Sequence, residues 1–111
     1  MNWNILNQEQ QLESIKQSSF EQPVVIFKHS TRCPISAMSL RFFESNYDES
    51  AGLQPFFLDL ISYRSVSNAI VTAFGVPHES PQVILIKDGK AVFDTSHHNI
   101  SFAAVAQAIE G

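Results

Sequence analysis

The sequence lacks a second cysteine. Cys33 is the only one among 111 residues, which excludes an internal disulfide, a disulfide-stapled secreted domain and a Cys-x-x-Cys redox pair. A zinc site would have to be assembled from histidines and carboxylates, and the spacing of His29, His78, His97 and His98 matches no zinc pattern. No metal is expected. Any thiol chemistry must pair Cys33 with a sulfur from another molecule, and the competing reading is a buried structural cysteine.

Other scarcities narrow the function further. Charged residues are 16% of the chain, the net charge is −4 and the signs are interspersed. Without a Lys/Arg cluster, no nucleic acid partner is expected. No apolar run approaches the roughly 18–20 residues of a membrane span. Met1 to Gln11 has no basic segment followed by an apolar stretch, so neither a signal peptide nor membrane attachment is expected, and the expected location is cytoplasmic. What the chain does have is apolar bulk: 44% hydrophobic residues, with nine phenylalanines. Its length fits a single domain over residues 1–111, able to bury a core without disulfides or metal.

Gln8 to Ser19 reads as a mostly polar first helix with Leu12 and Ile15 on one face. Val24-Val25-Ile26-Phe27, after Pro23, is a short β-branched run expected to form a strand buried on both faces. A helix follows from Pro34 to about Asn46, with Ile35, Met38 and Phe42 on one stripe and Phe43 beside it. Pro55 to Leu60 is a second strand. Ser62 to Phe74 carries Val66, Ala69, Ile70, Ala73 and Phe74 at helical spacing, with Gly75 as its stop. Val83 to Ile86 is a third strand, Asp88-Gly89 a hairpin turn, and Ala91 to Phe93 a fourth strand. Phe102, Val105, Ala106 and Ile109 mark a closing helix. The order α-β-α-β-α-β-β-α predicts an α/β thioredoxin fold: a central four-stranded mixed sheet flanked by helices, with an extra N-terminal helix. Two parallel β-α-β crossovers and one antiparallel hairpin are expected.

Cys33 falls between a buried strand and a helix N-terminus, where unpaired N–H groups and about half a positive charge favour thiolate over thiol. Pro34 suits the first helical position. Arg32 and Lys28 add potential positive charge. Ser36 stands where a dithiol oxidoreductase has its second cysteine; its hydroxyl is expected either to reach toward Cys33 or to solvate the helix backbone. Ser80-Pro81 precedes the third strand, where the thioredoxin fold places a cis proline beside the reactive sulfur. Asp59 ends a strand, where it could influence proton transfer or be a solvated loop carboxylate. His29 and His78 either flank the cysteine in this fold, where one could tune its pKa or contact a carboxylate-rich thiol, or are ordinary surface or loop histidines, and Arg64 is either an anion contact for the small thiol or an ordinary surface arginine.

Thr31-Arg32-Cys33-Pro34-Ile35-Ser36 resembles the active-site motif of the monothiol bacilliredoxins. The segments Arg64 with Val66-Ser67-Asn68, Phe74-Gly75-Val76, His78-Glu79-Ser80-Pro81-Gln82 and Ser96-His97 resemble that family too, and the likeness runs from about Val25 to Ser101. His98 departs from it, standing where an aromatic residue is expected. The resemblance implies that Cys33, assisted by Ser36, removes bacillithiol from S-thiolated client proteins, with Arg32, Pro34, Ser80 and Pro81 at the substrate. It implies a low-molecular-weight thiol as co-substrate, a second thiol or redoxin to recycle Cys33, and no cofactor. Two rivals share the fold: a monothiol glutaredoxin-like iron–sulfur carrier, whose Cys-Gly-Phe-Ser motif is missing here, and a catalytically silent binding module.

Overall fold

Strand formation starts from the β-branched and aromatic run in the first half of the chain. In the computed structural model, which describes residues 1–110, the elements are β1 (Asn4–Ile5), α1 (Gln11–Ser18), β2 (Val24–His29), α2 (Pro34–Ser45), β3 (Gln54–Asp59), α3 (Arg64–Phe74), β4 (Gln82–Lys87), β5 (Lys90–Ser96) and α4 (Phe102–Glu110). Short 3-10 turns occupy Glu49–Ala51 and His97–Asn99. All six residues of β2 are buried, because β2 is the central strand of a sheet ordered β1-β3-β2-β4-β5. Alternation then assigns the faces. Val24 and Ile26 pack with Leu12, Ile15, Val66 and Ile70 under α1 and α3. Val25 and Phe27 pack with Phe43, Phe102 and Val105 under α2 and α4.

The sheet has five strands rather than four. The added β1 runs parallel to β3, with Asn4 opposite Phe56 and Ile5 opposite Phe57. Two residues carry no readable alternation, so periodicity could not show it. Trp3 anchors this edge: its indole stacks on Phe43 at 6.1 Å, meets Phe27 edge-on and donates from Nε1 to Glu44 Oε2 at 2.7 Å.

The expected pair of parallel crossovers is corrected. β2 and β3 are parallel, but β4 runs antiparallel to β2, so α3 does not connect parallel strands. After Gly75, whose left-handed backbone (φ 70°) ends α3, the 75–81 segment returns the chain to the sheet edge that β3 had left. The second parallel connection is instead β1-α1-β2, through the strand that was not foreseen. The Asp88-Gly89 hairpin forms as read, both residues with positive φ. A Cβ on Gly89 would lie 2.9 Å from the Phe20 ring, so the turn also needs glycine for space.

Helix α2 turns a different face inward from the one its apolar stripe suggests. Ile35, Met38 and Phe42 are exposed, Phe42 at 53%, whereas Ser36 and Phe43 are fully buried. The inward set, 36-40-43, interleaves with that stripe at helical spacing, and its Phe43 packs with Phe27 and Phe102 between helix and sheet.

Candidate active site

Register places four chain connections at one edge of the sheet. β2 and β3 end there together, His29 opposite Asp59. β4 begins there, Gln82 opposite Lys28, and β5 ends there, Ser96 opposite Gln82. The segments 30–33 and 76–81 therefore flank one end of β2. Cys33 lies in the first and Pro81 closes the second.

Cys33 is the N-cap of α2, extended at φ −114° and ψ 117°, with Pro34 opening the helix. Its N–H donates to Ser30 O at 3.2 Å and its carbonyl accepts from Ala37 N–H at 3.1 Å. The backbone is thus held on both sides while the side chain remains half-buried at the surface. Arg32 and Pro34 beside it are exposed.

Ser36 does not hydrogen-bond to Cys33. Its Oγ accepts from Ser30 N–H at 3.0 Å and shares a 2.8 Å hydrogen bond with His29 Nδ1. The hydroxyl is buried among groups that hold both ends of the Cys33 turn, so it orients the loop. His29 follows Phe27 in the β2 alternation and faces α2, tilted against Phe57 at 5.5 Å. Burial pushes its pKa below the ordinary histidine value, partly offset by the negative charges of Asp59 and Glu44. The shift favours the neutral ring. Asp59 itself caps the following turn, accepting from Ile61 N–H and from the Ser62 hydroxyl.

The Ser80–Pro81 bond is cis, as the fold placement predicted. Pro81 O accepts from His97 N–H at 3.1 Å, and His97 O accepts from the Ser39 hydroxyl at 3.3 Å. One peptide segment therefore ties α2 to the Pro81 loop. To do so His97 adopts φ 55°, an uncommon conformation for a side chain with a Cβ. Its ring lies 3.7 Å from the Glu79 carboxylate.

On the opposite face of β2, Lys28 is fully buried. Its ammonium donates to His78 Nδ1 at 2.8 Å and to Gln82 Oε1 at 3.0 Å. Gln82, also fully buried, donates in turn to Pro77 O at 3.1 Å. Desolvation lowers the Lys28 pKa to about 8, against a smaller upward pull from Glu79. The His78 pKa is lowered by burial first, then by the positive charges of Lys28 and Arg64, with Glu79 opposing.

Of the residues singled out by sequence, Cys33, Pro34 and Ser36 share the first turn of α2, and Ser80 and Pro81 stand at the start of the neighbouring strand. Arg32 makes no hydrogen bond or ion pair among the described residues. Sequence reasoning missed the Ser36–His29 bond and the anchoring role of Gln82 and Ser39. The available signal was the alternation of β2, which sends residues 27 and 29 to the α2 face and Lys28 to the α3 face. Among the described residues no three of His, Cys, Asp and Glu converge on a metal-sized site. Among the described residues no helix is long and apolar enough to cross a membrane.

The family model for the monothiol bacilliredoxin BrxC matches residues 4–105. Among solved structures, the chain is similar to one described as a candidate oxidoreductase with a thioredoxin fold: TM-score 0.82, 28% identity, covering 95% of this chain and 91% of that one. It is also similar in fold to thioredoxins from Malassezia sympodialis and Trypanosoma brucei brucei. Each gives TM-score 0.74 at 16% identity, covering 98% of this chain and 89% and 88% of theirs.

Proposed function

The chain belongs to the monothiol bacilliredoxin family, and on that premise we propose that it removes bacillithiol from client proteins carrying it as a mixed disulfide. The observation that carries this reading is the placement of the sole cysteine: half-buried, at the N-cap of a helix, at the sheet edge where the Ser80–Pro81 loop begins β4. The Cys33 thiolate attacks the bacillithiol sulfur. A Cys33–bacillithiol disulfide forms, the original disulfide breaks, and the client departs as a thiolate that water protonates. A second thiol or another redoxin then attacks the adduct and returns Cys33 to its reduced form. The step needs only an accessible thiolate and a competent leaving thiol, so no cofactor enters it. It suits the cytoplasm, where thiols are kept reduced.

Without a resolving cysteine, attack on the client's own sulfur would leave two proteins joined. Arg32, Pro34, Ser80 and Pro81 are assigned to present the small-thiol sulfur instead. Ser36 acts by holding the Cys33 turn. Incubation with a bacillithiolated client, followed by intact mass spectrometry of both proteins, is the test. The adduct mass is expected to move one-to-one onto this chain and to stay on the client when Cys33→Ser is used. Ready transfer of glutathione with none of bacillithiol overturns the substrate assignment.

A further inference from the structure

His78 is held from inside the core in a way the exchange step does not require. An ammonium has only N–H donors, so the 2.8 Å contact from Lys28 Nζ obliges His78 Nδ1 to be the acceptor. The imidazole proton then resides on Nε2, on the far side of the ring, and His78 is exposed. The Ser67 hydroxyl lies 3.5 Å from the same Nδ1, which sets the ring against the first turns of α3. Arg64 is three residues before Ser67 on that helix and so shares its face. Arg64 is exposed, and among the described residues no carboxylate pairs with it or with Lys28. Of the nearby acids, Glu79 opposes this positive field at both Lys28 and His78 from a carboxylate that lies 3.7 Å from the His97 ring, and Asp94 accepts from Gln82. A fixed N–H donor, a guanidinium and a buried ammonium thus gather at the reactive edge of a chain whose net charge is −4.

We propose that His78, oriented by Lys28 and flanked by Arg64, forms a subsite for a carboxylate of the small thiol exchanged at Cys33. The inference rests on the reading that Cys33 exchanges with small-molecule thiols. Arg64 supplies charge and a planar fork that matches a carboxylate, His78 Nε2–H supplies a directed donor, and Lys28 is the positioning residue that selects the tautomer. The lowered pKa of His78 supports this, since it favours the neutral ring whose Nε2–H is the donor.

The test uses one peptide carrying mixed disulfides of mercaptosuccinate, 2-mercaptoethanol or cysteamine. Each transfer rate to Cys33 is divided by the rate at which free cysteine attacks the same disulfide. The dicarboxylate is expected to exceed the neutral thiol by about tenfold, the worth of one charge-assisted hydrogen bond, and the cationic thiol is expected to be slowest. The dicarboxylate-to-neutral ratio should collapse toward one in Arg64→Gln and His78→Phe. A ratio near one in the unmodified protein overturns the subsite and leaves the Cys33 reading standing. No transfer from any probe overturns that reading, and succinate titration followed at the His78 Cε1–H resonance then judges the subsite alone. A shift that Arg64→Gln abolishes supports it, and no shift overturns it. Nitrogen-15 spectra should show a single Nε2–H tautomer at His78 that becomes mixed in Lys28→Met; a mixture in the unmodified protein overturns the positioning role.

Discussion

Ser36 shows how a residue beside a reactive sulfur can serve it without touching it. Its oxygen satisfies the buried Ser30 amide and meets His29 Nδ1, so Ser36→Ala leaves both groups short of a partner. Each unmet buried polar group costs about 1–3 kcal/mol, and urea denaturation at pH 7 should show Ser36→Ala destabilised by roughly 2–4 kcal/mol. Under conditions where the variant stays folded, adduct transfer should slow by no more than about tenfold, some 1.4 kcal/mol of barrier. Transfer as dead as in Cys33→Ser would put the hydroxyl on the reacting atoms and contradict this placement. The sequence showed a serine in the second-cysteine position. It did not show the partner, because His29 reaches Ser36 through the strand's facing, which depends on which helix covers which side.

At the scale of elements, α2 and β2 each make a sharp prediction. Phe42 and Phe43 are neighbours on α2, yet Phe42 is 53% exposed and Phe43 is fully buried among Phe27, Tyr47 and Phe102. Phe43→Ala should cost about 3–5 kcal/mol, and Phe42→Ala no more than about 1 kcal/mol, read from the same denaturation midpoints. Helical spacing located α2 within a residue, but two interleaved sets, 35-38-42 and 36-40-43, both satisfy it. Only a tertiary partner decides between them. In β2, Lys28 has a pKa near 8 when folded against 10.5 ordinarily. Between those values the unfolded chain binds more protons, so stability rises with pH and falls as pH drops through 10.5 toward 8. The unmodified protein should therefore gain about 2 kcal/mol relative to Lys28→Met between pH 7 and pH 9.5. Equal pH dependence in the two proteins would mean that the ammonium is solvated after all.

For the molecule as a whole, two histidines with lowered pKa values weaken the fold on the acid side. His29 and His78 both take up protons less readily when folded than the ordinary value near 6.5 allows. Their contribution is complete above that value and is lost as pH falls through it toward the folded values. Thermal denaturation should thus show a falling midpoint below about pH 6.5, partly relieved in His29→Gln. Topology was legible down to the order of α1 through α4, because buried β-branched runs and a strong helix stop at Gly75 are local signals, whereas the cis Ser80–Pro81 bond followed only from its place in the fold. The direction of β4 and the presence of β1 were not. Direction depends on where the segment after Gly75 returns, and β1 depends on Trp3 finding a ring cage assembled from strands far away in the chain.

That cage gives the molecule an optical property of its own. Trp3 is the sole tryptophan, wedged among Phe27, Phe43 and Phe57 and hydrogen-bonded to Glu44 on the helix that carries Cys33. Its emission is therefore a gauge of one seam, the join between the N-terminal edge strand and α2. Heating that shifts this emission toward longer wavelength before far-ultraviolet dichroism changes would reveal the seam parting while the sheet survives, with no label attached.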